Sequence, residues 1–313
     1  MSIDEAHNVE RDERMTAERA YELFWADLLA ASATFRCVGS QCTAPLICAC
    51  IDKPAQTLRV RPYFRSRRIE DHAAECEVLL GARPSKDGPR TPAADVFELE
   101  RPADHFNSPV ATTPSVATST RAPAVRAPSG GVRTQASHYY RLSSVVQKFL
   151  EHRRDQTLAE ATVAIGGETS TYEAVFRNVY RQKVEDVAGV RAIWWGTAYV
   201  QRLKKENGYF IRFTRPFRMG EKEAKPTITL GEKLIEAYPV RKLLRARLDK
   251  LIADSGGYCV VFVWAKPWTP PADSSEAFVR FYVNNPDHLD VRGPEVLEEL
   301  KQTSRIVRPA ITS

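Results

Sequence analysis

Four residues in the first quarter of the chain have the types and the spacing of metal ligands. Cys37 and Cys42 are separated by four residues, in a segment predicted to form a strand and a turn. His72 and Cys76 lie four positions apart in a predicted helix over 69–80, a spacing that puts both side chains on one face. Three thiolates and one imidazole form a closed tetrahedral set for Zn²⁺. We therefore predict a structural zinc site that supplies folding free energy to a small module.

The other cysteines leave two alternatives open. Cys48 and Cys50 alternate along a predicted strand over 44–51, which suits two small buried side chains, and either could replace Cys42 as a ligand. Without a metal, all of these cysteines would be buried free thiols. Disulfides are not expected, because the charged N-terminus has no secretory signal. A metal-bound histidine also needs an acceptor for its second ring nitrogen, and the nearest carboxylates in the sequence are Glu70, Asp71 and Glu75.

Residues 35–78 resemble the N-terminal zinc-binding module of CoiA-like competence proteins. The resemblance is carried by the pair Cys37-x4-Cys42, the following strand, the segment RPYFR at 61–65 and His72-x3-Cys76. That family typically has a cysteine pair, a His-Phe-x-His-like element and a distal cysteine. Here four residues rather than two separate the pair, and the letters YFR stand where a histidine-flanked phenylalanine is usual. The resemblance implies a metal-ligand role for these four residues and a DNA-handling or mobile-element setting. The family's nuclease motif has no counterpart in this sequence.

Composition divides the chain of 313 residues into three parts. Residues 15–100 are predicted to form the zinc-binding module, and residues 1–14 to be frayed. Residues 101–137 are rich in Pro, Ser, Thr and Ala and predict a disordered linker. Residues 138–313 carry 28 Lys and Arg against 21 Asp and Glu, whereas residues 1–100 carry 13 against 17. The basic C-terminal part favours a phosphate-bearing partner, or carries ordinary solubility charge.

The order of elements in the C-terminal part predicts an OB-like β-barrel. Strands are predicted over 192–202, 209–214 and 227–230, a helix over 240–253, and strands over 258–265 and 278–283. Three strands, a helix and two strands are the order of an OB-fold. The fold class predicted for the chain is α+β: a small zinc-stabilised module, a flexible linker and an OB-like barrel with flanking helices. Because the segment over 258–265 has almost no polar residue, we expect it to be a central strand.

Three further helices are predicted outside that order of elements. Apolar periodicity indicates helices over 16–32 and 143–153. The third begins at Ser170 and Glu173, which have the spacing of a capping box, and carries apolar residues to Tyr180.

Basic and aromatic residues of the predicted barrel are candidate contacts for nucleic acid. They are Lys204 and Lys205 in the first hairpin, Arg212 on the second strand, Lys266 and Trp268 after the fourth strand, and Arg241 and Arg245 on the polar side of the helix. OB barrels bind single strands through such a face and such loops, with bases stacked on aromatic rings. Alternation separates Arg212 from Tyr209 and Ile211, so that only one of the two faces can be the barrel interior. The alternative interpretation makes the aromatic residues core and the helix charges a solvated face.

The sequence predicts a non-enzymatic protein. It has no P-loop, no G-x-S-x-G and no H-E-x-x-H motif, and only His288, beside Asp287 and Asp290, could suggest an active site. No stretch approaches the roughly 18 apolar residues of a membrane span, so we expect a cytoplasmic protein without membrane contact. We predict a nucleic-acid-binding protein, with single-stranded DNA preferred, or an adaptor of a bacterial mobile-element or defence system. The alternative is a protein–protein interaction module with a structural zinc site.

Overall fold

The computed structural model describes residue 3 and residues 5–39, 41–53, 58, 62–76, 78, 94–101, 138–180, 182–270 and 278–306. The chain is mixed α+β and divides into two compact units. The first unit holds the described residues up to 78, and the second holds residues 94–101 and those from 138 onward. The predicted linker lies outside the described residues, except for Arg101. Every helix in the described segments is too short or too polar to span a bilayer.

The first unit is a five-stranded antiparallel sheet with a helix on one face. Its elements are β1 Glu5–Asn8, β2 Glu13–Thr16, α1 Ala17–Trp25, β3 Phe35–Arg36, β4 Pro45–Ala49 and β5 Tyr63–Ser66. The strands lie in the order β2-β1-β3-β4-β5. Side chains alternate between the two faces, so that Phe35, Leu46 and Phe64 pack in one core with Leu23 of α1. The other face is turned to solvent.

The N-terminal residues form a hairpin, which corrects the expectation that residues 1–14 are frayed. Ala6 and Met15 alternate with polar neighbours and are buried, and this burial holds β1 between β2 and β3. The Thr16 hydroxyl accepts a hydrogen bond from the Arg19 backbone N–H and begins α1. The helix ends at Trp25 rather than near Ser32, because Asp27 has a left-handed φ of 61°.

The described part of the second unit contains three sheets. Its elements up to the long strand are β6 Asp95–Phe97, β7 His138–Tyr139, α2 Leu142–Arg154, β8 Thr162–Ile165, β9 Glu168–Thr171, α3 Tyr172–Val175, β10 Phe176–Asn178, α4 Val184–Val187 and β11 Ala192–Arg202. The remainder are β12 Tyr209–Phe213, β13 Phe217–Met219, β14 Lys222–Ala224, β15 Pro226–Leu230, α5 Glu232–Glu236, α6 Arg241–Ser255, β16 Tyr258–Ala265, β17 Pro267–Trp268, β18 Val279–Phe281, β19 Leu289–Arg292 and α7 Glu295–Ile306. The largest sheet has the order β17-β18-β15-β12-β11-β16-β19, with β10 parallel to β11. A second sheet has the order β7-β6-β8-β9, and β13 pairs with β14.

The large sheet separates two layers of core. On one face Trp194 packs against Phe217 and Phe281. On the other face Phe262 of β16 packs against Phe149 of α2. The strand β16 lies between β11 and β19 and is buried on both faces, which confirms the prediction of a central strand over 258–265.

The helix predicted after Ser170 is the largest error in the second unit. The cap is Thr171, whose hydroxyl accepts from the Ala174 backbone N–H, and the helix ends after one turn at Val175. The following residues, Phe176–Asn178, form β10 beside Ile193–Trp195 of β11. Phe176 packs there against Phe149 and Phe262, so tertiary packing overrides the local helical pattern.

Asp290 of β19 is completely buried between two arginines. Its carboxylate accepts from Arg247 of α6 at 2.7 Å and from Arg292 at 2.5 Å. Burial acts to raise the pKa of Asp290, but the Arg292 and Arg247 guanidinium groups outweigh it and hold this pKa below its usual value. The carboxylate therefore ties α6 to the sheet as a charged group.

We predict that Asp290→Asn destabilises the protein by about 3–5 kcal/mol at neutral pH, because two arginines lose their buried counter-charge. Chemical denaturation measures this change. Asp254→Asn is the control, because Asp254 forms an exposed pair with Lys250 and should cost less than about 1 kcal/mol. The difference between wild type and Asp290→Asn should shrink as the pH falls, since a lowered pKa contributes stability above the unfolded pKa that is lost in acid. Equal effects of the two substitutions would contradict the assignment.

Candidate metal centre and exposed sheet face

The four cysteine and histidine residues predicted as ligands lie together in the first unit. Cys37, Cys42, His72 and Cys76 are all buried, and their potential ligand atoms lie within 4.8 Å of one another. The Cys37 and Cys76 sulfurs are 3.6 Å apart. The His72 Nδ1 atom is 3.4 Å from the Cys42 sulfur and 3.5 Å from the Cys76 sulfur. The arrangement could hold one metal ion.

These separations match a tetrahedral metal site. Zinc–sulfur bonds of about 2.3 Å and zinc–nitrogen bonds of about 2.0–2.1 Å, at tetrahedral angles, put two sulfurs about 3.8 Å apart and a sulfur and a nitrogen about 3.6 Å apart. The measured separations of 3.6, 3.4 and 3.5 Å fall within about 0.2 Å of those values. Each of the four residues offers one potential ligand atom.

A tight turn positions the first two ligands. Cys37 follows β3 and donates its backbone N–H to the Ala44 carbonyl, and Cys42 donates its own to the Gly39 carbonyl. A Cβ atom at Gly39 would lie 3.1 Å from the Cys76 sulfur and 3.2 Å from the Cys42 Cβ atom. Any larger residue at this position would therefore crowd the Cys42 and Cys76 side chains.

His72 and Cys76 do not lie on a helix, which corrects the predicted helix over residues 69–76; residues 77, 79 and 80 lie outside the described residues. Residues Ile69–Asp71 form a single 3₁₀ turn, and His72 then adopts an extended conformation with φ −83° and ψ 149°. A second turn, in which the Cys76 backbone N–H bonds the Ala73 carbonyl, returns the chain to the cluster. The spacing of four residues still brings the two ligands together, but through consecutive turns.

The thiols and the imidazole have distinct environments. Burial raises the pKa of the Cys37 thiol to about 12. Burial also acts to raise the pKa of Cys42, but backbone N–H groups of Ala44 and Ala73 outweigh it and lower this pKa, which favours a thiolate. The His72 Nε2 atom is buried and has no hydrogen-bond partner among the described residues. None of the three neighbouring carboxylates proposed from the sequence serves as its acceptor, and Nδ1 is the nitrogen that faces the sulfurs.

The remaining thiols of the first unit lie outside the cluster. Cys48 is buried against α1, with its sulfur 3.9 Å from the Ala17 carbonyl oxygen, and burial raises its pKa to about 12. Cys50 has a left-handed φ of 66° in the turn after β4. Cys42 is therefore the residue that completes the set of four, and neither alternative cysteine replaces it.

In the second unit, one half of a face of the large sheet carries exposed or half-buried side chains, and we call it the bare half. Six residues on neighbouring strands stand in register across this bare half: Tyr258, Tyr199, Arg212, Thr227, Arg280 and Trp268. Register partners share one face of a sheet, so we call these six residues the exposed row. Tyr199 is 53% exposed and Trp268 is 43% exposed. The rings of Tyr199 and Tyr258 are 5.3 Å apart.

The row contains Arg212 and Trp268, two of the seven residues predicted to contact nucleic acid. Tyr209, Ile211 and Phe213 are buried on the opposite face of β12, as the alternation indicated. Tyr199, Tyr258 and Arg280 were not among the predicted nucleic-acid contacts, and the interpretation that made the aromatic residues core is wrong for Tyr199. The alternation along β11 places Tyr199 on the face opposite Trp194. Trp195 lies on the same face as Tyr199 but is covered by α2, so alternation alone does not predict which of the two is exposed.

The other five candidates divide into free and paired charges. Lys204, Lys205 and Lys266 are exposed and form no ion pair within the described residues. Arg241 and Arg245 both contact Glu236, at 3.4 and 2.6 Å. Their charge is therefore partly neutralised by the chain itself. The structure does not bring these five residues into one cluster with the exposed row.

His288 is engaged by the protein. Its Nε2 atom lies 2.9 Å from the Leu99 carbonyl oxygen, and burial holds its pKa below the usual value. Asp287 accepts from Arg101 at 2.5 and 2.7 Å and from the Tyr238 hydroxyl at 2.6 Å. These contacts hold residues 98–101 beside the turn Pro286–His288.

The chain matches no known protein-family model, and no curated protein and no solved structure is detectably similar to it.

We predict about one metal ion per purified chain, and loss of that ion in Cys76→Ala, because the remaining three ligands leave an incomplete and solvent-accessible site. Elemental analysis of metal-replete protein measures the stoichiometry. Cys50→Ala is the matched control and should keep the metal, since Cys50 lies outside the cluster. A metal-free wild type, or metal loss in both variants, would contradict this assignment.

Proposed function

We propose that this protein binds single-stranded nucleic acid, with single-stranded DNA preferred, and performs no catalysis on it. The observation that carries the proposal is the exposed row, which places three aromatic and two basic side chains, with one threonine, across six neighbouring strands. Neighbouring strands lie about 4.8 Å apart, so the row runs for about 24 Å along the sheet. This length suits a stretch of a few nucleotides rather than one small ligand.

The residue types of the row suit an unpaired strand. The Tyr199 and Tyr258 rings offer faces on which bases stack, a contact worth about 1–3 kcal/mol per base in such sites. Arg212, between Tyr199 and Thr227, has no ion-pair partner among the described residues and can bind a phosphate or stack on a base. A duplex hides its base faces, so the row favours single strands. Lys204 and Lys205, in the hairpin after β11, are exposed and add positive charge to this unit.

The pairing order of the large sheet supports an OB-like fold for this unit. The strand β11 pairs with β12, β12 with β15, and β15 runs parallel to β18. The strand β16 pairs with β11, at one end of the series β11-β12-β15-β18. A single residue separates β16 from β17, and β17 pairs with β18, at the other end of that series. Closure through a shared strand, with a helix before it, is the arrangement of a Greek-key OB barrel.

The metal that we propose for the first unit is zinc, in a structural role. Three sulfur donors and one imidazole nitrogen are the ligand chemistry of structural zinc sites. The buried, closed set leaves no coordination position for a reaction. Zinc bound there would fix the turn at Gly39 and the two turns around His72, and so supply folding free energy to strands of only two to five residues. A role in a bacterial mobile-element or defence system, as an adaptor or a DNA-handling protein, rests on the resemblance of residues 35–78 alone.

We expect Tyr199→Ala to weaken the binding of a fluorescent thymidine 20-mer by about 5- to 150-fold, which corresponds to one stacked base. Fluorescence anisotropy at low salt measures this loss. Tyr180→Ala is the matched control, because Tyr180 is 46% exposed and contacts Arg215 outside the exposed row. It should leave the affinity within about twofold of wild type.

An unchanged affinity in Tyr199→Ala would overturn the assignment of the row. Absence of binding to any oligonucleotide in the wild type, at low salt, would favour the alternative of a protein–protein interaction module. Trp268 and Tyr282, which is 54% exposed, would then form part of a protein-docking surface. Binding that shows no fall in affinity with rising salt would count against nucleic acid in the same way.

A further inference from the structure

The solvent-facing side of the first unit's sheet carries arginines next to the metal cluster. Outward positions on β3, β4 and β5 are Arg36, Ile47 and Arg65, and the inward positions between them are buried. Arg67 and Arg68 follow the end of β5 and are also exposed. We call Arg36, Arg65, Arg67 and Arg68 the arginine face.

The arginines of the arginine face are free, unlike those at the N-terminus. None of the four forms an ion pair with another described residue. In contrast, Arg14 pairs with Glu5 at 2.6 Å, and Arg11 and Arg19 both pair with Glu13. The first 100 residues carry an excess of acidic side chains, so this local excess of free positive charge is not a consequence of composition. It results from how the fold distributes the charges.

The segments that carry the arginine face lead directly to the cluster of Cys37, Cys42, His72 and Cys76. Arg36 directly precedes Cys37, and Arg68 is followed by the 3₁₀ turn that leads to His72. A metal bound between Cys37 and His72 therefore joins the two segments that carry the arginines. Two acidic residues follow them: Asp71 accepts from the Arg68 backbone N–H at 3.1 Å, and Glu70 is exposed beside it. Arg68 consequently lies nearest to opposing charge, and Arg36, Arg65 and Arg67 form the more strongly basic part.

We infer that the arginine face is a second nucleic-acid contact of this protein, one that binds phosphodiester groups. The identity of the anion rests on the proposed function, whereas the location rests on the first unit alone. Guanidinium groups present a planar fork that matches two phosphate oxygens. The face offers Ile47 and Tyr63 but no row of exposed rings, so it suits contacts to the backbone rather than readout of bases. It should bind without sequence preference.

The test compares two double variants with the same change of charge. Arg36→Gln/Arg65→Gln removes two free arginines, and Arg14→Gln/Arg154→Gln removes two exposed arginines that are each paired with a glutamate at 2.6 Å. The probes are a thymidine 20-mer and a 20-base-pair duplex, over a range of salt concentrations. Each lost phosphate contact lowers the slope of log K against log salt by about 0.7–0.9. We expect a decrease of about 1.5 for Arg36→Gln/Arg65→Gln and little change for the control.

Three further measurements separate the possible outcomes. Arg36→Lys/Arg65→Lys keeps the positive charge and should restore most of the slope of log K against log salt. If binding stays as weak in the lysine variant as in the glutamine variant, the loss has a structural cause and the inference is overturned. Metal content reports whether the cysteine and histidine cluster is intact in each variant. Loss of binding to both probes indicates backbone recognition, while a loss confined to the single strand would overturn it. A variant that binds both oligonucleotides like wild type, but no longer binds poly-glutamate, would assign the face to an acidic polypeptide instead.

The same titrations keep this inference distinct from the proposed function. If Tyr199→Ala weakens binding and Arg36→Gln/Arg65→Gln does not, the exposed row stands and the arginine face fails. If the arginine variant weakens binding and Tyr199→Ala does not, the arginine face stands and the stacking site fails.

Discussion

The pairing of β11 with β16 is the contact on which the second unit depends. It joins eight residue pairs, from Ala192 with Ala265 to Tyr199 with Tyr258. One face of β11 is buried from Ala192 through Trp194 to Val200. On the other face the strand passes from beneath α2 at Trp195 to open solvent at Tyr199. Because a slip of one residue would exchange the two faces, burial of Trp194 also determines that Tyr199 is exposed.

The first unit depends on a different constraint. Its strands are two to five residues long, and the segments that carry the ligands have little regular structure. Four buried cysteine and histidine side chains, whose potential ligand atoms lie within 4.8 Å of one another, could hold a metal ion there. Under our proposal that metal would compensate for the small core and would order the segments that carry the arginine face. In the second unit the surface is positioned by the sheet alone.

The strongest sequence patterns predicted the fold where one local signal was sufficient. The aromatic and β-branched run at 192–202 and the apolar run at 258–265 form the expected strands. Residue type and spacing also predicted that Cys37, Cys42, His72 and Cys76 lie together. Short strands such as β6 and β10 were missed, because they are stabilised by partners distant in the chain rather than by their own sequence. Asp95–Phe97, in the residues expected to belong to the zinc module, pairs within the second unit.

The exposed row and the arginine face could not be predicted from the sequence. Exposure of a side chain depends on which half of a sheet face the helices cover, and free charge depends on which arginines form an ion pair with a carboxylate.

Photocrosslinking tests most directly the central claim that the exposed row binds single-stranded nucleic acid. A thymidine oligonucleotide that carries 5-iodouracil is bound, irradiated and analysed by peptide mass spectrometry. We expect crosslinks in the peptides that contain Tyr199, Tyr258 or Trp268, since a stacked base lies against one of these rings. Crosslinks that map only outside the exposed row, for example to Tyr180, would contradict the account.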